Sequence, residues 1–179
     1  ATAMANAHHY ALPPEFFRLH LGPRLKYSCC WFGPGIEGLA AAEEATLELY
    51  AERAQLADGP RILDLGCGWG SATLWMAERY PRARITALSN SSAQRHYIEE
   101  ELRRRGLGNV SVVTGDIADF DFTDKAAEAS FDRIISVEML EHLRNYGLLF
   151  AKLRSWLKAD GRVFIHVFAH PTLAYPFET

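Results

Sequence analysis

The chain has no apolar run long enough to cross a bilayer, no large excess of one charge and no cysteines at ligand spacing. Each absence removes a class. Without a long apolar stretch, membrane insertion is not expected. A net charge of −3 over 179 residues offers no polyelectrolyte footprint, so a nucleic acid is not an expected partner. The three cysteines, Cys29, Cys30 and Cys67, are an odd count with two adjacent, which builds neither a disulfide framework nor a metal-binding spacing; no metal is expected. Residues 1–7 lack the charged start and hydrophobic stretch of a signal peptide, and the expected location is the cytoplasm. A content of 49% hydrophobic and 23% charged residues suits a globular domain and excludes disordered and fibrous classes. Composition leaves the oligomeric state open, a homodimer included.

What is present is organised around Arg61-Ile-Leu-Asp-Leu-Gly-Cys-Gly-Trp-Gly70. A strand-forming run enters three glycines at alternate positions, and residues 71–79 continue at helical period. Strand, glycine turn and helix together let a backbone approach a ligand, with the helix N–H groups facing it. The dinucleotide fingerprint asks for Gly-x-Gly-x-x-Gly and an acid closing the second strand. Here Ser71 stands at the last glycine position and the second strand ends in Leu88-Ser89-Asn90. Asp64, before the turn, would repel a pyrophosphate but suits an ammonium group. This Asp-x-Gly-x-Gly-x-Gly form resembles the first motif of class I S-adenosylmethionine (SAM) methyltransferases.

Pro13-Pro14 places a short helix running to Leu21, stopped by Gly22-Pro23. An aromatic-rich loop containing Tyr27, Trp31 and Phe32 follows, then a helix from Ile36 to about Leu56. The remainder alternates: strand 61–66, helix 69–79, strand 83–89, helix 92–105, strands 110–114 and 132–137, helix 143–158 and strand 162–168. Alternation predicts an α/β fold with a doubly wound parallel sheet of Rossmann-like type. Residues 1–57 are expected to form an N-terminal helical cap, and 58–179 the core. On helix 92–105, Glu99, Glu100 and Glu101 stand four residues before Arg103, Arg104 and Arg105, so three i,i+4 pairs are expected there.

The strand ends carry polar residues that a doubly wound sheet gathers over one crevice. The second strand delivers Ser89 and Asn90, with Gln94 one turn on; the third delivers Gly115, Asp116 and Ile117. The fourth ends in Val137-Glu-Met-Leu-Glu-His142 and the fifth in His166-Val-Phe-Ala-His170. Asp116 also suits a turn cap, and the Glu-x-x-Glu-His run suits the first turn of the next helix.

With His9-Tyr10, Lys26-Tyr-Ser-Cys29, Asp64 to Gly70, Leu88 to Gln94, Val137 to His142 and His166 to His170 laid out, the chain resembles the coclaurine N-methyltransferase branch of the cyclopropane-fatty-acid-synthase-like methyltransferases. The resemblance implies SAM as cofactor, S-adenosylhomocysteine as product, and methyl transfer to the nitrogen of a small alkaloid-like amine. It implies cofactor contacts from Tyr27, Ser28, Asp64, Gly66, Gly68, Asn90, Gln94, Asp116, Ile117 and Val137. Glu138, Glu141 and His142 would surround the acceptor, His142 taking its proton as the side chain that titrates near neutrality. Tyr27, Trp31 and Phe168 could face a cation through their rings. His166 and His170 read as satisfied strand-end residues, and Cys67 as filler under the turn.

Two departures qualify the likeness. Ala11 stands where the family usually carries an acid, and class I methyltransferases normally add two more strands beyond the fifth, so the expectation is a core lacking its C-terminal strands. The rival readings are a cyclopropane-synthase-type lipid methyltransferase, in which Cys29, Glu141, His142 and His166 would serve around a bicarbonate, and a SAM-binding fragment without catalysis.

Overall fold

The structure, a computed structural model, describes residues 12–122, 130–170 and 172. His9, Tyr10, Ala11 and the end of the chain at Thr179 lie outside the described residues. Five parallel strands form one sheet in the order β3-β2-β1-β4-β5: β1 Arg61–Leu65, β2 Arg84–Ser89, β3 Val110–Thr114, β4 Phe131–Val137 and β5 Leu157–His166. The helices are α1 Pro14–Arg18, α2 Leu39–Ala54, α3 Ser71–Arg79, α4 Ser92–Arg105 and α5 Tyr146–Trp156. The order reverses between β1 and β4, the point where an open α/β sheet leaves a crevice at its carboxyl end.

Strand alternation assigns the two faces. Ile62, Ile85, Ile135 and Phe164 pack under Leu47, Tyr50 and Ala51 of α2 and Trp75 and Met76 of α3. Leu63, Leu65, Leu88 and Ile134 point the opposite way, onto Leu149, Leu153 and Trp156 of α5. Both faces are covered, which is why β1 after Arg61 reads as an apolar run broken only by Asp64.

Element ends differ from expectation where local geometry intervenes. Helix α2 starts at Leu39 because Gly38 lies at φ 81°, and stops when Gln55 turns left-handed at φ 53°. Helix α5 begins at Tyr146, capped by the Asn145 side chain accepting the Leu148 N–H, while Leu140–His142 form a separate 3-10 turn. Strand β5 begins at Leu157, before the expected 162, with no loop after α5. Its pairing jumps from Phe131–Leu157 to Arg133–Arg162, so residues 158–161 bulge; a Cβ on Gly161 would lie 2.9 Å from the Phe131 carbonyl oxygen.

On α4 only one of the three expected pairs forms as foreseen. Glu101 binds Arg105, and also Arg104, each at 2.7 Å, whereas Glu99 takes Arg95. Arg105 reaches Glu78 of α3 as well, so the basic end ties two helices together.

Candidate functional site

The turn after β1 is built by positive φ at Gly66 (82°), Gly68 (53°) and Gly70 (81°), and the N–H groups of Gly66 and Cys67 both donate to the Leu88 carbonyl. A Cβ at Gly66 would strike the Met139 side chain at 2.5 Å, whereas one at Gly68 meets no protein atom within 4 Å. The Gly66 requirement is therefore internal packing; Gly68 keeps open the space above the turn.

That space is a cleft lined by Tyr27, Ser28, Asp64, Gly66, Gly68, Asn90, Gln94, Ile117, Val137, Glu138 and His142 among others. All of these residues were expected at the site from sequence. Asp64 is 3% exposed, and among the described residues its side-chain donor is the Thr73 hydroxyl at 2.6 Å. With no cation beside it, burial pushes its carboxyl up to about 6. Gln94 is buried too; its Oε1 accepts the Ser89 hydroxyl at 2.6 Å, which fixes the amide and turns its NH2 group to other work, while Asn90 stays exposed at the rim.

Two expected residues stand outside the lining. Asp116 lies between Gly115 and Ile117, which do line the cleft, and its Oδ1 accepts the Ala118 N–H at 2.9 Å, the turn-capping role. Glu141 turns away as well: one carboxylate oxygen accepts the Phe168 N–H at 2.7 Å and the other is buried without a hydrogen-bond partner. Of the three aromatics, Tyr27 lines the cleft; Trp31 lines a separate groove along α2, its backbone N–H donating to Thr46 Oγ1, and Phe168 is 67% exposed.

The segment carrying Tyr27 is held over the cleft by a residue that reads in the sequence only as a helix former. Glu43 on α2, fully buried, accepts the backbone N–H groups of Arg24 and Lys26 at 2.9 and 3.0 Å. Two charge-assisted bonds to one carboxylate lock the loop to α2. Opposite, Glu138 adopts φ 48°, a strained conformation for a residue with a side chain. It is secured by its own N–H to the His166 carbonyl, 2.8 Å, and by the Cys29 N–H to its carboxylate, 3.0 Å. Asn145 caps α5, leaving Glu138 and His142 to face the cleft.

A second set, in which the sequence reading named only Cys29 and His166, and those for the rival bicarbonate site, gains Lys26 and Tyr50 from the structure. Lys26, 4% exposed, donates to Ser28 Oγ, the Cys29 carbonyl and the Tyr50 hydroxyl, and burial lowers its pKa. The Tyr50 hydroxyl lies 2.7 Å from His166 Nδ1, and His166 Nε2 lies 3.6 Å from Cys29 Sγ. These residues come from a loop, a helix and a strand end, and no local spacing could signal them. His166 is a satisfied strand-end residue, tied through Nδ1 to the Tyr50 hydroxyl, and Tyr50 lines the cleft. Trp69 and Ser71 were also passed over; both line the cleft and both carry a buried polar atom with no partner, Nε1 and Oγ.

The profile of the mycolic acid cyclopropane synthetase family matches residues 1–174, and the chain belongs to that family. It is 44% identical over 169 residues to the (S)-coclaurine N-methyltransferase of Thalictrum flavum subsp. glaucum, covering 94% of this chain and 45% of that protein. A crystal structure of coclaurine N-methyltransferase bound to N-methylheliamine and SAH superposes with a TM-score of 0.92 at 43% identity, over 98% of this chain and 49% of that one. A mycolic acid cyclopropane synthase complexed with SAH and CTAB gives 0.79 at 30% identity, over 91% and 55%. The chain spans about half the length of the curated relatives it matches. The likeness inferred from the motifs, and the class I methyltransferase fold, are both borne out.

Proposed function

We propose that this member of the family binds SAM in the cleft over the glycine turn and transfers its methyl group to the nitrogen of a small alkaloid-like amine. The observation that carries the reading is Asp64: a carboxyl buried at the floor of the cleft with no cation of its own, in a chain 43% identical to an N-methyltransferase structure bound to SAH and an N-methylated amine. The residues present fit the cofactor. Asp64 takes the amino group of its methionine moiety, the unpartnered Ser71 Oγ suits the carboxylate, and Asn90 with the Gln94 amide reaches the ribose hydroxyls. Ile117 supplies an apolar wall for the base, and the remaining Asp116 oxygen is available to its amino group.

When bound, SAM supplies an activated methyl on a sulfonium. The chain's own task is to hold an amine in line with its lone pair free, and to exclude water. Glu138, on the β4 side of the cleft, meets the ammonium form of the acceptor. His142, at the rim, takes the proton that the nitrogen must lose. Glu141 acts as a positioning residue, tying the 3-10 turn that bears His142 to the segment after β5.

The test is methyl transfer by the chain to a secondary benzylisoquinoline-type amine and, in parallel, to phospholipid. An N-methylated product supports the reading; product from phospholipid alone transfers it to the cyclopropane-synthase branch, and no product from either overturns catalysis by this chain. His142→Ala should lose turnover by about 100-fold or more while SAM affinity stays within twofold. Normal turnover, or affinity falling in step with activity, would make the cluster structural.

A further inference from the structure

The side of the cleft that follows β3 is a turn held shut by a side chain from another element. Over residues 115–120 the Asp119 and Phe120 N–H groups donate to the Asp116 carbonyl at 3.1 and 2.7 Å, and the Ala118 N–H donates to Asp116 Oδ1 at 2.9 Å. The carbonyls of Ile117, Ala118 and Phe120 then converge on one spot, and the Lys152 ammonium of α5 fills it, donating to them at 2.8, 3.3 and 2.8 Å. We propose that Lys152 is a positioning residue for cofactor binding: its ammonium fixes the turn 115–120 so that Ile117 and the second Asp116 carboxylate oxygen present the site for the base. The proposal rests on SAM as the occupant of the cleft.

The contact is specific to an ammonium. Three carbonyl dipoles aimed at one point repel one another unless a cation sits among them, and lysine carries three N–H donors on a compact charge, one for each oxygen. Such charge-assisted bonds are stronger than neutral ones, so this half-buried lysine holds the turn more firmly than an amide or hydroxyl would. In the sequence it reads as one more polar position of an amphipathic helix, 35 residues from Ile117.

Placement ties the contact to the ligand. Gly115 and Ile117 line the cleft and Lys152 does not, so Lys152 reaches the cofactor only through the turn. The far side of the same segment is anchored separately. Phe120 packs edge-on against Phe122 at 4.8 Å, Phe122 against Trp156 of α5 at 4.8 Å, and Trp156 Nε1 donates to Asp121 Oδ1 at 2.8 Å. The Phe120 ring also occupies the place of a Cβ on Gly115, 2.4 Å away. Aromatic packing therefore secures residues 120–122 without the ammonium, and what Lys152 adds is the hold on residues 117 and 118, the half of the turn beside the cleft. Removing the charge should loosen that half and leave the fold intact.

The test is calorimetry of the full chain with SAH and with S-inosylhomocysteine, in which an oxo group replaces the amino group of the base, on the parent, Lys152→Met and Lys152→Arg, each shown folded by a melting curve. Lys152→Met keeps the aliphatic stem and removes the ammonium. Its dissociation constant for SAH should rise by at least about tenfold, and its preference for SAH over the inosyl analogue should fall by at least about fivefold, because the turn reads the amino group. Lys152→Arg, still able to donate to two of the carbonyls, should recover most of both losses. In ligand-free Lys152→Met the Ala118 and Phe120 amides should exchange with solvent faster than in the parent, while the amides of β3 keep their rates. An SAH affinity unchanged in Lys152→Met overturns the proposal and leaves SAM binding standing. Equal losses for the two ligands overturn it as well, since the effect would then be general to the cleft. A parent that binds no SAH overturns the reading of the cleft itself, and the proposal with it.

Discussion

Asp64 shows how one side chain links stability to binding. Burial opposes its charge and pushes its carboxyl up from the ordinary value of about 3.9 to about 6 in the folded state. Between those values the folded state holds more protons than the unfolded one, so stability falls as pH rises through the window, by up to about 3 kcal/mol. Asp64→Asn should remove this slope: the difference in melting temperature between variant and parent should grow in the variant's favour from pH 4 to 7. Binding has the opposite sign, because a cationic ligand needs the carboxylate, and SAM affinity of the parent should rise through about pH 6 while the variant's stays low. Equal slopes in the two proteins would mean that Asp64 does not ionise in this window. The aspartate and its placement before the turn were legible in the sequence. Its burial was not, since burial depends on the Thr73 side of α3 closing over it. Glu138 is similar: its residue type pointed to the site, but its φ of 48° is imposed by contacts with Cys29 and His166 more than a turn away in any local pattern.

At the scale of elements, the glycine turn and α4 make separable predictions. Gly68→Ala adds a methyl group that meets no protein atom, so its folding penalty should be the left-handed backbone cost of about 1–2 kcal/mol. In a cleft that takes SAM the same methyl crowds the ligand, and affinity should fall more than tenfold by calorimetry; an unchanged dissociation constant would place the cofactor elsewhere. On α4, the Arg104 and Arg105 guanidinium groups hold the Glu101 carboxyl near 2, well below the usual carboxylate range. A depressed folded pKa contributes stability that is present above about 4.5 and lost as pH falls toward 2. Because Arg104 is largely solvent-exposed, Glu101→Gln should cost only about 1–2 kcal/mol at neutral pH and almost nothing at pH 2, checked by chemical denaturation. Sequence spacing identified this helix and its end, yet named three pairs where one forms. The other partners, Arg95 for Glu99 and Glu101 for Arg104, with Glu78 added for Arg105, are chosen by geometry along the helix and across to α3.

For the molecule as a whole, the cleft sits where β1 and β4 part, roofed by the loop that Glu43 ties to α2. A ligand contacting the β1, β2 and β4 ends together with that roof binds only the folded state. SAH at about 100 times its dissociation constant should therefore add about 2.7 kcal/mol, or about 5–10 °C in melting temperature for a domain of this size. No shift at saturating SAH would separate the cleft from the cofactor. Among the described residues no helix is long and apolar enough to cross a membrane.

The order of strands and helices, the glycine turn and eleven of the residues lining the cleft follow from the sequence alone, because alternating apolar runs and glycine spacing act over a few neighbouring residues, where local periodicity and backbone sterics dominate. Where α5 and β5 begin was decided by Asn145 and by the pairing of Leu157 with Phe131, which local pattern carries weakly. The grouping of Lys26, Tyr50, Glu138, His166 and Cys29, and the turning of Glu141 and Trp31 away from the cleft, were decided only by tertiary structure. Cys29 and His166 are separated by 137 positions, and only packing α2 against the sheet, with the N-terminal loop bonded to Glu43, brings sulfur and imidazole to 3.6 Å.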